Sequence, residues 1–238
     1  MARADGVVIV SERYWAFAGV DGSMREGRMP SPPRIVRHVP LVRGLARLGA
    51  SLSPLFRRTG VARRRERWFL GLAVIAPLAL VFTPEWIGLA AGCVTTVALL
   101  AWVMRGRTLY LHGAEHRAIA AAEQRRLSDT WFGTARPSRF SLRCGTNFAA
   151  LMLPVSVVGE RLWTLPTAAF TPLVVTVLAL AVSMELWQLV QTTSVRFARV
   201  FLVPGLVLQR ATTREPELDE TRIALRAVAA VLARELPG

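Results

Sequence analysis

Long apolar stretches that are nearly free of charge alternate with segments dense in arginine, and this alternation limits what the chain can fold into more than any other feature. Four such stretches can be drawn, Trp68–Phe82, Trp86–Met104, Asn147–Leu162 and Thr167–Val190. A bilayer-crossing helix needs about 20 residues, so the first and third are short. The third also contains Pro154, which predicts a kink or a tilt. Thr83-Pro84-Glu85 separates the first two as a tight turn and predicts an antiparallel hairpin. With 53% hydrophobic residues in 238, the chain is too apolar in stretches for an ordinary soluble domain, and a bilayer is the expected solvent.

The net charge of +14 comes from 30 arginines and no lysine, a balance that first suggests nucleic acid. Its distribution argues otherwise, because it follows the apolar segments rather than one recognition helix. Residues 1–67 hold fourteen arginines against five acids, and residues 105–143 hold eight against three. If the chain starts inside and crosses four times, every arginine-rich connection falls on one side, as the positive-inside rule demands. Both termini and the loop 105–146 are then cytoplasmic, and no nucleic-acid partner is expected. Cys93 and Cys144 have no paired spacing, so a disulfide framework is not expected. The N-terminus lacks the basic-then-apolar pattern of a cleaved signal.

The expected fold is mainly α: a polytopic membrane protein with about four transmembrane helices, a cytoplasmic helix carrying HGAEH and a small N-terminal β element. Residues 1–30 form the β segment, because "GVVIVSERYWAFAGVDGSMREGRM" alternates apolar and polar residues around a Val20-Asp21-Gly22-Ser23 turn. Residues 31–66 place Leu41, Leu45, Leu48, Leu52 and Leu55 at helical spacing with arginines elsewhere, a basic amphipathic segment suited to the membrane surface or to simple packing. Residues 67–104 are the transmembrane hairpin, 105–146 the cytoplasmic HGAEH helix and loop, and 147–192 transmembrane helices 3 and 4. Residues 193–238 are a cytoplasmic segment broken at Pro204-Gly205, with a TTREP loop and a final amphipathic helix.

The chemistry-bearing stretch is "LYLHGAEHRAIAAAEQRR", residues 109–126. In a helix His112, Glu115 and His116 occupy i, i+3 and i+4 and share one face. Two imidazoles one turn apart can hold one divalent ion, zinc being the natural candidate, with Glu115 as general base in the H-x-x-E-H pattern. A buried polar cluster or an interfacial histidine pair is the other reading. Glu123 lies about 16 Å along the axis from His112 and cannot join it on one ion, so it supports the site or pairs with an arginine. The third ligand must come from another segment. Cys144, at the start of the third span, and Glu185, near the inner end of the fourth, reach the same depth if the second span continues inward as the histidine helix.

An intramembrane carboxylate is by default functional, so Glu185 is a third ligand or proton carrier, or else pairs with an arginine such as Arg143. Cys144 is a thiolate ligand or a small packing residue. Arg143 binds an anionic head group or snorkels. Thr146 and Asn147 read as helix caps. The block "PGLVLQRATTREPE" returns Gln209, Thr212, Thr213, Arg214 and Glu215 toward the site, or merely starts the last helix.

Taken together, "YLHGAEHRAIAAAE", "RCGTNF", Met184-Glu185 and "PGLVLQRATTREP" resemble the ordered signature blocks of the YqhQ-like family of uncharacterised bacterial multi-pass membrane proteins, often described as predicted metal-dependent enzymes. "PLVRGLARLGASL" is similar to that family's basic amphipathic segment. The resemblance implies a multi-pass protein of the bacterial inner membrane with a metal-dependent site. By matching position, His112, Glu115, His116, Glu123, Arg143, Cys144, Glu185, Gln209, Thr212, Thr213 and Glu215 fall on its motif positions. The family's glycine-rich E-G-V-M-M-R type opening is represented here only by "ADGVVIVS", with Asp5 as the acidic counterpart.

The leading expectation is a metal-dependent membrane hydrolase acting on a lipid head group or a peptide near the inner surface. The alternative is a non-catalytic scaffold or assembly factor that binds anionic lipid head groups or a protein partner. A transporter has little support without a repeated half unless the chain forms a homo-oligomer.

Overall fold

The computed structural model describes residues 1–57, 60–80, 84–164, 171–193 and 200–236. It is mainly helical, with a small N-terminal antiparallel sheet. Two compact units arise from interleaved stretches of chain. One comprises Met1–Ser31, Val103–Asn147 and Leu202–Gly238, the other Pro32–Trp102 and Phe148–Phe201.

In the first unit, β1 (Ala2–Arg3), β2 (Gly6–Val10), β3 (Tyr14–Gly19) and β4 (Met24–Arg28) form a four-stranded antiparallel meander in chain order. The β3–β4 turn follows from local chemistry. Gly22 takes φ 85°, which glycine adopts without strain, and Asp21 Oδ1 accepts from the Ser23 N–H and hydroxyl. The register pairs Val7 with Ala18 and Ile9 with Ala16, which puts these four side chains on one face. On the other face Phe17 lies over Gly6 and Trp15 over Gly27, where any Cβ would meet the rings.

That first face packs on two helices, α5 (Thr108–Glu123) and α10 (Leu218–Glu235). From α5 it receives Leu111, Ala114, Ala118 and Ala121, and from α10 Ile223, Ala224, Ala227, Val228 and Val231. The alanines let the two helices approach closely, and each fully buried aliphatic side chain contributes roughly 1.5–3 kcal/mol of transfer energy. Helix α10 begins with a reciprocal box in which Glu217 and Glu220 each satisfy the other's backbone N–H. Short α6 (Leu127–Trp131) and α9 (Val203–Thr212) complete the unit.

Pro204 and Gly205 do not break the chain as expected; they sit in the first turn of α9. Proline is accepted there because that turn has no intrahelical N–H bond to lose. Gly205 is needed because Asn147 occupies the space a Cβ would fill.

The second unit contains α1 (Arg34–His38), α2 (Val42–Phe56), α3 (Arg64–Leu80), α4 (Glu85–Val103), most of α7 (Gly145–Leu162) and α8 (Thr171–Thr192). Pro154 lies inside α7. Among the described residues one helix, Leu173–Thr192, is long and apolar enough to cross a membrane, by length and composition alone. Trp86–Thr95 is a shorter apolar stretch by the same test. The outer end of the expected span Trp68–Phe82, Thr83 of the expected turn and the first residues of Thr167–Val190 lie outside the described residues. The histidine helix is not a continuation of the second span. The chain leaves helix after Val103, turns at Gly106 with φ 59° and re-enters at Thr108.

Candidate metal centre

Helix α5 presents His112 and His116 from successive turns, with ring centroids 4.5 Å apart, and Cys144 comes up beside them just before α7. One ligand atom from each of the three lies within 4.8 Å of the others. Two backbone carbonyls orient the imidazoles. His112 Nδ1 lies 2.9 Å from the Thr212 carbonyl oxygen, and His116 Nδ1 lies 2.7 Å from that of Arg139. A carbonyl can only accept, so both Nδ1 atoms carry protons and each Nε2 is directed to the cluster. Ligating histidines characteristically show this second contact, which sets tautomer and ring plane.

Two histidine nitrogens and a thiolate are borderline-soft donors that suit zinc. Donors 2.0–2.3 Å from one tetrahedral ion lie about 3.5 Å apart, so closing the 4.8 Å spread asks for roughly 1 Å of side-chain adjustment. The donor set therefore fits a divalent ion with three protein ligands.

Electrostatics favour the same set. Burial pushes the Cys144 thiol up, but hydrogen bonds from His112 and His116 and their charge outweigh it and bring it down to about 5. His112 Nε2 approaches Cys144 Sγ at 3.3 Å, and the sulfur also accepts from the Thr146 hydroxyl at 3.1 Å. For His112, burial opposes the charged form, while Cys144, Glu115 and the Thr212 carbonyl raise its pKa above the usual value. Both shifts favour imidazolium beside thiolate.

Glu115 is almost enclosed, with Oε1 2.6 Å from the Met1 amino group and a buried Oε2 that has no hydrogen-bond partner. Burial would raise its pKa; the Met1 amine, His112 and His116 together hold it below the usual range. An ionised, half-satisfied carboxylate beside two imidazoles is placed to accept a proton.

The model for the family described as protein of unknown function (DUF1385) matches residues 89–234. The chain belongs to the DUF1385 family. The chain is also similar to the Uncharacterized protein YqhQ of Bacillus subtilis (strain 168), 30% identical over 138 residues, which cover 54% of this chain and 42% of that protein. The match thus spans under half of that relative's length. No solved structure matches the chain. The DUF1385 match takes in α5, Cys144, α9 and most of α10, but none of β1 to β4.

Within this DUF1385 segment the remaining expected site residues divide by role. Gln209 is fully buried and braces the loop before Cys144: its Oε1 accepts from the Ser141 N–H at 2.9 Å and its Nε2 donates to the Ser141 carbonyl at 2.8 Å. Asn147, also fully buried, donates to the Ser141 and Leu142 carbonyls, so it ties the start of α7 to the same loop. Thr212 acts through its carbonyl on His112, and the Thr213 hydroxyl donates to the Gln209 carbonyl at the end of α9. The Arg214 N–H donates to the Leu109 carbonyl, bringing the TTREP loop against α5. Glu123 and Arg143 pair with each other at 2.6 Å, both exposed.

Glu185 is placed differently from the expectation. Its carboxylate accepts from Arg43 and from the Leu41 N–H, all within the second unit, so its arginine partner is Arg43 rather than Arg143. Cys144 supplies the third ligand atom of the cluster.

Sequence reasoning passed over Arg117. It is buried on α5, donates to the Pro137 and Pro216 carbonyls and pairs with Glu215, which clamps the loop that carries Arg139 and the loop that follows Thr212. Nothing local distinguishes it from an exposed helix arginine, because its burial is created by those loops.

Proposed function

We propose that this protein is a membrane-embedded, metal-dependent enzyme of the hydrolase type, with His112, His116 and Cys144 holding a divalent ion, most suitably zinc, and Glu115 acting as general base. One observation carries the reading: three good ligand atoms lie within 4.8 Å, and both imidazoles are oriented through Nδ1 by backbone carbonyls. An ion held by His112, His116 and Cys144 would supply Lewis acidity, which would make water a usable nucleophile near neutral pH. Around it the chain's own groups have separate tasks. Thr212 and Arg139 hold the rings, Thr146 steadies the sulfur, and Glu115 Oε2 is available to take a proton.

The membrane part of the proposal assigns crossings to α3, α4, α7 and α8, with both termini and the 105–146 segment on the cytoplasmic side. The apolar helix Leu173–Thr192 and the one-sided arginine distribution support it. A lipid head group or a peptide at the inner surface is the proposed substrate class.

Metal analysis of detergent-purified protein tests the site. Wild type is expected to carry about one ion per chain, His116→Ala and Cys144→Ala to lose it, and Glu115→Gln to retain it. Equal metal content in wild type, His116→Ala and Cys144→Ala overturns the ligand assignment and leaves the non-catalytic scaffold as the better reading.

A further inference from the structure

The second unit carries a surface that the metal centre does not use. Residues 31–65 contain nine arginines and no aspartate or glutamate. Within that stretch α1 buries no residue at all. Ile35 is 79% exposed, and Val39, Val42 and Phe56 are also exposed, large apolar side chains among exposed Arg34, Arg37, Arg47 and Arg57. Val42, Gly49 and Phe56 are spaced by sevens and so lie along one line of α2. Water alone is a poor partner for such a face, and the surrounding charge is of one sign.

The other side of α2 is anchored. Gly44 lies against Met184 and the Ala181 carbonyl, a contact that leaves little room for a side chain. Arg43 pairs with Glu185, and the Leu41 N–H donates to Glu185 Oε1 at 3.2 Å. Leu41 has φ 67°, a strained conformation for a non-glycine residue, and it persists where surrounding contacts enforce it. The anchor is on α8, the helix apolar and long enough to cross a membrane. Glu185 lies seven residues before the end of that span at Thr192, or about 10 Å along the axis. The anchor thus falls on the middle and C-terminal half of that candidate crossing.

We infer that α1 and α2 form a platform on the membrane surface that binds anionic phospholipid, with Ile35, Val39, Val42 and Phe56 entering the acyl boundary and Arg34, Arg37, Arg47 and Arg57 meeting the phosphates. Charge complementarity selects this occupant: a stretch of arginines and exposed aliphatics with no acid of its own suits a negatively charged bilayer. In this arrangement Glu185 orients the platform rather than a metal. The inference stands apart from the metal reading, since it uses none of its residues.

The test uses the full-length Cys93→Ser protein carrying Ile35→Cys labelled with an environment-sensitive fluorophore, in bilayer nanodiscs of phosphatidylcholine alone or doped with phosphatidylglycerol. Cys93→Ser without Ile35→Cys sets the labelling background. Emission is expected to shift to the blue as phosphatidylglycerol rises, and high salt should reverse the shift. Each Arg→Gln change among the four exposed arginines is expected to raise the half-saturating lipid fraction by about fivefold at low salt, and the corresponding Arg→Lys change to restore it. Identical emission in both lipids overturns the inference. So does a shift produced by inorganic phosphate alone, or one that appears only when two copies share a disc. If Lys fails to restore the effect of Gln, charge is not the cause and the inference also fails.

Discussion

His112 and Cys144 form the central contact of the candidate site: Nε2 lies 3.3 Å from Sγ while Nδ1 is held by the Thr212 carbonyl. Because Nδ1 must carry a proton to bond that carbonyl, a second proton on Nε2 makes the ring an imidazolium facing a thiolate. The Cys144 pKa is lowered, so the fold's preference for thiolate is complete above the unfolded thiol value of about 8.5 and is lost as pH falls through about 5. The His112 pKa is raised, so its contribution is present below about 6.5 and is lost as pH rises through the folded value. In the metal-free Cys93→Ser protein the ultraviolet absorbance of the thiolate should titrate with a midpoint near 5, and His112→Ala should move it upward. A midpoint in the ordinary thiol range in the parent protein contradicts the pairing.

Gly113→Ala should be costly out of proportion to its size. A Cβ there meets the Arg214 carbonyl oxygen, and backbone cannot swing aside as a side chain can. A loss of about 1–3 kcal/mol is expected, read by chemical denaturation in detergent. Metal affinity should fall with it, because displacing Arg214 also displaces the Thr212 carbonyl that holds His112. Wild-type stability with wild-type affinity would remove this close contact from the account.

Gln209→Ala leaves the Ser141 N–H and carbonyl without their buried partner and opens a small cavity, at a cost of about 2 kcal/mol. The change lies outside the ligand set, yet it loosens the loop that presents Cys144. Metal affinity is expected to drop ten- to a hundredfold, as for other residues that position ligands. Competition with a chelator measures it, and an unchanged affinity would assign Gln209 to stability alone.

Glu235 links the end of α10 to the sheet. The Ser11 hydroxyl donates to Oε1 at 2.6 Å and Arg13 pairs with Oε2; against burial, these hold the carboxyl below its usual range. A depressed carboxyl contributes above the unfolded value of about 4.3 and loses that contribution as pH falls through the folded one. Wild type should therefore melt above Glu235→Gln at neutral pH, and the two curves should converge in acid. A constant difference down to low pH would show that the charge is not what matters.

The pair His112 and His116 was legible because a helix returns to the same face every 3.6 residues whatever surrounds it. The hairpin around Asp21 and Gly22 was legible for a similar reason: a positive φ and a side chain that bonds its own turn are properties of adjacent residues. The role of Pro204 was misjudged because proline ends a helix from within but begins one at its first turn, and only the position of that turn distinguishes the two.

From the sequence Glu185 ranked ahead of Cys144 as third ligand, because an intramembrane carboxylate is by default functional while a lone small residue at a helix start more often just packs. Tertiary structure groups Cys144 with the two histidines and pairs Glu185 with Arg43 instead. Gln209 and Asn147 close the 141–147 loop over α5, while Arg43 and Leu41 take up the Glu185 carboxylate in the other unit. Arg117 could be recognised as a clamp only once Pro137, Glu215 and Pro216 had closed around it. Local spacing determined which side chains share a face; the partner of a buried charge depends on which remote backbone closes over it, and that is set by packing across the chain.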